Sequence, residues 1–239
     1  MKRLKFFIVT CVLTAFGLFC AGAPAHAVLA EAVWGTDATA ELQGSRTSGA
    51  GGGVTAMDGW KNGNLTLSWF ISRNADNGLW TYTYRLETTK KDPSHFILET
   101  TRSETPLAIL AGSSPNIEGP RTWSMSGSNP QMPNDIFGIK FDFGGNPVTY
   151  TLVTDRSPVY GVFYTKDGNS GGEWAVAWSN ALNFPEYRSN PYLTSLDFIV
   201  RPDGEAQPSA VPLPAALWPF ASGIVGLVAL RQRNKARYS

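Results

Sequence analysis

Catalysis at neutral pH is most often carried by histidine, a thiolate or paired carboxylates. The chain has two histidines, His26 and His95, and two cysteines, Cys11 and Cys20. His95 stands beside Phe96 and Ile97 at the start of an apolar run and reads as a structural or surface residue, because nothing in the sequence puts a reacting proton within its reach. Glu99 with Glu104, or Asp142 with Asp155, would supply the two carboxylates of a glycosidase if the fold held them ~5 to 10 Å apart. A chain with 19 acidic residues offers many such pairs, so their presence selects none. Asp167 and Asn169 lie in a glycine-rich turn with the residue types of a calcium loop but without EF-hand spacing, and a solvated turn is the simpler reading. The expectation is a protein with no catalytic residues, no cofactor and no metal site.

Tryptophan is the one chemical feature in excess, with eight in the chain. Aromatic planes stack on the C–H faces of sugars, while indole N–H and phenol O–H reach the hydroxyls. Trp69, Trp80, Tyr82 and Tyr84 alternate with polar neighbours, so burial in a core accounts for them. Trp174 and Trp178 are four residues apart in a strand-like run, where they would share a face. They are the expected pair for stacking on a carbohydrate.

The elements that must hold these residues are strands. Leu65, Leu67, Trp69 and Ile71 alternate with Thr66 and Ser68, and Trp80, Tyr82, Tyr84 and Leu86 alternate with Thr81, Thr83, Arg85 and Glu87. Asp76-Asn77-Gly78 between them is a favoured reversal. Further strands are expected at residues 95–101, 139–143, 148–154, 159–165, 173–178 and 194–200, each rich in β-branched or aromatic residues. No segment before the tail keeps a helical period for three turns. The pattern predicts an all-β domain over residues 28–200, an antiparallel β-sandwich or jelly roll. Glycine-rich residues 44–53 read as a mobile loop or flexible turn, and residues 201–210 as a linker.

Both ends of the chain have a different character. Lys2, Arg3 and Lys5 precede a largely apolar run from Phe6 to Phe19, and Ala25 and Ala27 place small residues at the two positions a signal peptidase must fit. A signal peptide over residues 1–27 follows, cut after Ala27. Both cysteines fall inside it, so the exported body has no thiol, which excludes disulfides and thiolate chemistry. Between the signal and the tail, 13 basic residues stand against 19 acidic ones, a net of −6 that disfavours nucleic acid as a partner. The tail runs Val211-Pro212-Leu213-Pro214-Ala215-Ala216, then apolar to Leu230, then Arg231, Arg233, Lys235 and Arg237. As a helix, residues 215–230 span ~24 Å, and the basic stop would hold the C-terminus in the cytoplasm with the body outside. A permanent single-span anchor is the plain alternative.

The order V-P-L-P-A-A, a short helix containing serine and glycines, and an arginine-rich end resemble the VPLPA variant of the PEP-CTERM sorting domain over residues 211–237. Pro212-Leu213-Pro214 stands where the name-giving Pro-Glu-Pro would be, as in that variant. The resemblance implies recognition by exosortase, a membrane transpeptidase-like protease of Gram-negative bacteria that make extracellular polysaccharide and biofilm matrix. It implies a transient inner-membrane anchor, cut near Val211 to Pro214, and then release or transfer to the cell surface. The function it implies is that of a non-enzymatic structural or adhesive matrix protein, with exopolysaccharide as a partner. A secreted carbohydrate-binding module or carbohydrate-active enzyme is the alternative.

Overall fold

The computed structural model describes residues 31–168 and 174–206. The signal segment, the sorting motif with its helix and basic stop, and Asn169 lie outside the described residues. Within them the chain is all-β, and every pairing between its strands is antiparallel. The strands in order are β1 (Gln43–Thr47), β2 (Val54–Ala56), β3 (Leu65–Arg73), β4 (Trp80–Thr88), β5 (Pro93–Glu99) and β6 (Ile117–Trp123). They continue as β7 (Ile136–Phe141), β8 (Val148–Thr154), β9 (Arg156–Gly161), β10 (Phe163–Asp167), β11 (Val176–Ser179) and β12 (Ile199–Ala206). A four-stranded sheet has the order β1-β3-β4-β8, a six-stranded sheet the order β2-β11-β10-β5-β7-β6, and β9 pairs with β12. Among the described residues no helix is long and apolar enough to cross a membrane.

The alternation in β3 and β4 works as a period of two requires. Leu65, Leu67, Trp69 and Ile71 are buried, their neighbours Thr66, Ser68 and Phe70 face away, and Trp69 lies opposite Tyr84 in the paired register. The Asp76-Asn77-Gly78 reversal joins the two strands. Gly78 takes a φ of 73°, a region open to glycine, and Asn77 Oδ1 accepts from Leu79 N at 3.0 Å. Side chains from both sheets then meet in one core, with Phe96 of β5 ringed by Tyr84, Phe141, Tyr150 and Phe163 at centroid distances of 5.2 to 6.0 Å. Two antiparallel sheets sharing a core are consistent with a β-sandwich.

The six-stranded sheet is buried on its second face as well. Ile97, Val162, Tyr164, Val176 and Trp178 pack there against Met132, Leu182, Tyr187, Leu193 and Phe198, which belong to long connections rather than strands. This is why β5 is almost continuously buried. It also carries Tyr187 and Arg188 over the end of β5, where the candidate site lies.

Several boundaries differ from the sequence expectation. Residues 44–47 of the glycine-rich stretch belong to β1, where the buried Arg46 guanidinium donates to the carbonyls of Phe198 (2.9 Å) and Ser195 (2.8 Å) and to Glu41 (3.0 Å). Residues 201–206, expected to begin a linker, complete β12 instead; Pro202 and Gly204 hide the strand pattern while Arg201 is buried against Glu99. The run 159–165 breaks at Val162 into β9 and β10, and Ser195–Asp197 is a 3-10 turn capped by Thr194. The outer edge of β8 is occupied by residues 110–114. Leu110 N and Ser114 N donate to the carbonyls of Val153 and Thr151, and Ser113 Oγ and Ser114 Oγ accept from the Val153 and Thr151 amides, all at 2.8 to 2.9 Å.

Candidate functional site

Glu99 ends β5 with its side chain 1% exposed, and four donors converge on it from distant parts of the chain. Oε2 accepts from Trp34 Nε1 (2.9 Å) and from the Val162 amide (3.1 Å), while Oε1 accepts from the Tyr187 hydroxyl (2.7 Å) and Arg188 Nη2 (2.9 Å). Arg201 Nε lies 3.7 Å from Oε2, an ion pair beyond hydrogen-bond length. Burial, and then the charge of Glu99, push the Tyr187 hydroxyl well above its ordinary titration range, so it stays a donor at neutral pH. The backbone is cut to fit this group. A Cβ on Gly161 would overlap the Arg201 guanidinium and crowd Glu99 Oε2, so only glycine lets β9, β12 and β5 approach this closely. Removing the acid would leave two guanidiniums without their anion, which costs about 3–5 kcal/mol for a buried pair.

A cavity of about 370 Å³ opens beside the cluster. Trp34, Glu99 and Arg188 form one wall, Thr100 and Thr101 continue from β5, and Arg102, Thr122, Asp135 and Phe137 complete it. The Arg188 guanidinium sits 4.4 Å from the Tyr187 ring centroid and 5.5 Å from that of Trp34, and Arg102 sits 4.2 Å from that of Phe137. Thr100 is buried, and its hydroxyl has no hydrogen-bond partner. A second cavity of about 190 Å³ adjoins the first, sharing Thr100, Thr101 and Phe137.

The residues expected from sequence fall mostly elsewhere. Trp178 is buried, stacked on Tyr164 at 6.5 Å, with Nε1 donating to Asn183 Oδ1 (2.8 Å), and so offers no face to a sugar. Trp174 precedes β11 rather than sharing a strand with Trp178; it is half-buried, with Lys166 Nζ 4.7 Å from its ring centroid. His95 is buried against Tyr164, and desolvation, helped by Lys166 and Lys140, lowers its pKa to about 3. Of the acid pairs, Glu99 is in the cluster while Glu104 is exposed on the following loop, Asp142 pairs with Lys140 (3.0 Å) and Asp155 with Arg156 (3.1 Å). Asp167 is buried and pairs with Lys91 (3.3 Å). No nucleophile elbow was expected from the sequence, yet Gly168-Asn169-Ser170-Gly171-Gly172 matches the G-x-S-x-G spacing; residues 169–173 lie outside the described residues.

Trp34, Arg102, Tyr187, Arg188 and Arg201 are the functional candidates that periodicity passes over. The one signal that could have found them is Glu99, an acid directly after the apolar run Phe96 to Leu98, since a buried carboxylate must find cations or donors. What the arrangement can do chemically is bind. Both carboxylate oxygens of Glu99 are already taken up by protein donors, whereas Arg102 and Arg188 each commit a single nitrogen to a hydrogen bond among the described residues. Among the described residues no group of three or more His, Cys, Asp or Glu is placed to hold a metal ion. Comparison with known proteins finds no matching family model, no matching curated protein and no matching solved structure.

Proposed function

We infer that this chain is an exported cell-surface or extracellular-matrix protein of non-enzymatic, structural or adhesive role, delivered by an exosortase and associated with exopolysaccharide. One observation carries the reading: Val211-Pro212-Leu213-Pro214-Ala215-Ala216, an apolar stretch and the basic residues Arg231 to Arg237 follow an acidic, thiol-free β domain. In this reading the domain is an antiparallel β-sandwich, residues 215–230 are a transient transmembrane helix, and the signal over residues 1–27 starts export. A body without cysteine must be stabilised by core burial, and the doubly covered six-stranded sheet suits that need.

The test is mass spectrometry of the full chain expressed in an exosortase-bearing Gram-negative host. Released protein should begin at Val28 and end between Val211 and Pro214, and a Pro212→Ala, Pro214→Ala variant should stay in the membrane fraction. Released protein that retains Arg231 and beyond, or a cytoplasmic chain with Met1 intact, would overturn the reading. A second reading, as a secreted carbohydrate-binding module or carbohydrate-active enzyme, is favoured by the cavity beside Glu99.

A further inference from the structure

We propose that the cavity between Trp34, Thr100, Arg102, Asp135 and Arg188 is a binding site for a sugar acid, either as a free uronate or as a uronate unit of a polysaccharide. The proposal is independent of the route by which the chain leaves the cell.

The wall is rich in unused donors. Each guanidinium has five N–H groups in a planar fork that matches a carboxylate. Arg102 spends Nη2 on Thr122 Oγ1 (2.7 Å) and Arg188 spends Nη2 on Glu99 Oε1 (2.9 Å), and the remaining nitrogens of both are uncommitted. The hydroxyls of Thr122 and Thr101 accept from Arg102 and Arg201, which leaves their own protons to donate. Thr100 also lines the cavity, with its hydroxyl enclosed and without a partner among the described residues. A donor-lined site calls for a ligand rich in acceptor oxygens. A carboxylate with ring and hydroxyl oxygens meets that description, and the exposed Asp135 carboxylate can accept from the sugar's hydroxyls.

Charge points the same way. Of the charges that line the cavity, the guanidiniums of Arg102 and Arg188 and the carboxylate of Asp135 are exposed, whereas Glu99 is buried and already paired with Arg188 and with the buried Arg201 behind it, within a body whose net charge is −6 from 13 basic and 19 acidic residues. The site is therefore a local positive spot on an acidic domain, where an anion is drawn to one place. The adjoining cavity past Phe137, lined by Ser103, Thr105 and Pro120, gives room for a neighbouring sugar unit.

The experiment is calorimetric titration of the full chain with galacturonate, an oligogalacturonate, neutral galactose and glycine. Galacturonate should bind at least about tenfold more tightly than galactose, and less tightly as salt is raised. Arg102→Gln, which alters an exposed residue outside the Glu99 cluster, should weaken galacturonate about tenfold while leaving galactose unchanged. Asp135→Asn should weaken both sugars. Tighter binding of the oligomer than the monomer would mark the polysaccharide as the source, and equal binding the free sugar acid. Equal affinity for galacturonate and galactose, glycine binding as well as galacturonate, or no galacturonate binding at about 10 mM would overturn the proposal.

Discussion

The two faces of the six-stranded sheet are stabilised by different means. On the face toward the other sheet, Phe96, Leu98, Ile139, Phe141 and Phe163 are wholly buried among aromatic and aliphatic neighbours. On the covered face, a few residues along the same β5 strand, His95 and Glu99 are buried too, and the segments that roof them are tied down through hydrogen bonds and ion pairs. Apolar contact is tolerant of partners, so the first face needs only volume and pattern. A buried acid is intolerant, so the second face specifies which residue of which connection lands where.

The largest effect that can test this contrast is Phe96→Ala, which should destabilise the domain by about 4 kcal/mol in urea denaturation because it empties the centre of the aromatic core. That loss should be insensitive to salt. Glu99→Gln should cost about 3 kcal/mol, and should also loosen residues 187–188 in hydrogen exchange, which Phe96→Ala should not do selectively. If Glu99→Gln costs less than about 1 kcal/mol, the polar face is no more demanding than the apolar one.

His95 offers a pH-dependent measure of the same face, small just below pH 6.5 and growing with acidity. Its pKa is lowered to about 3 in the fold, while the unfolded chain titrates near the ordinary value of 6.5. Below pH 6.5 the unfolded state therefore takes up a proton that the folded state refuses, and stability falls as pH drops toward 3, by up to about 1.4 kcal/mol per unit. Denaturation of His95→Gln across that range, compared with the parent, should show a flatter profile. An unchanged profile would mean that His95 is solvated. At the bottom of the scale, Tyr192, 91% exposed, should tolerate Tyr192→Ser within about 0.5 kcal/mol.

The same contrast explains which parts were legible in the sequence. β3, β4 and β8 each face the shared core with one side only, so alternation marks them and their boundaries fall within two residues of expectation. Residues 44–47 of β1 and 201–206 of β12 read as flexible in the sequence because they include Arg46 and Arg201, charges whose partners are brought in from far along the chain. β6 was missed because Gly119 and Pro120 interrupt it at the sheet edge. Trp178 was expected at the surface because one strand has no record of what will cover it; the cover, residues 180–198, has no periodicity of its own. For the site, Glu99 stood out only as one member of a possible acid pair with Glu104, and Trp34 lies 65 and Arg188 89 residues away from it, separations that no local pattern encodes.

The serine-lined edge of β8 has a consequence for life at high concentration. Ser113 and Ser114 occupy with their hydroxyls, and residues 110 and 114 with their amides, the ladder positions that another molecule's strand would take at Thr151 and Val153. Copies crowded together therefore meet a closed seam on that flank, and the four-stranded sheet is shielded there from growing into fibres by edge addition.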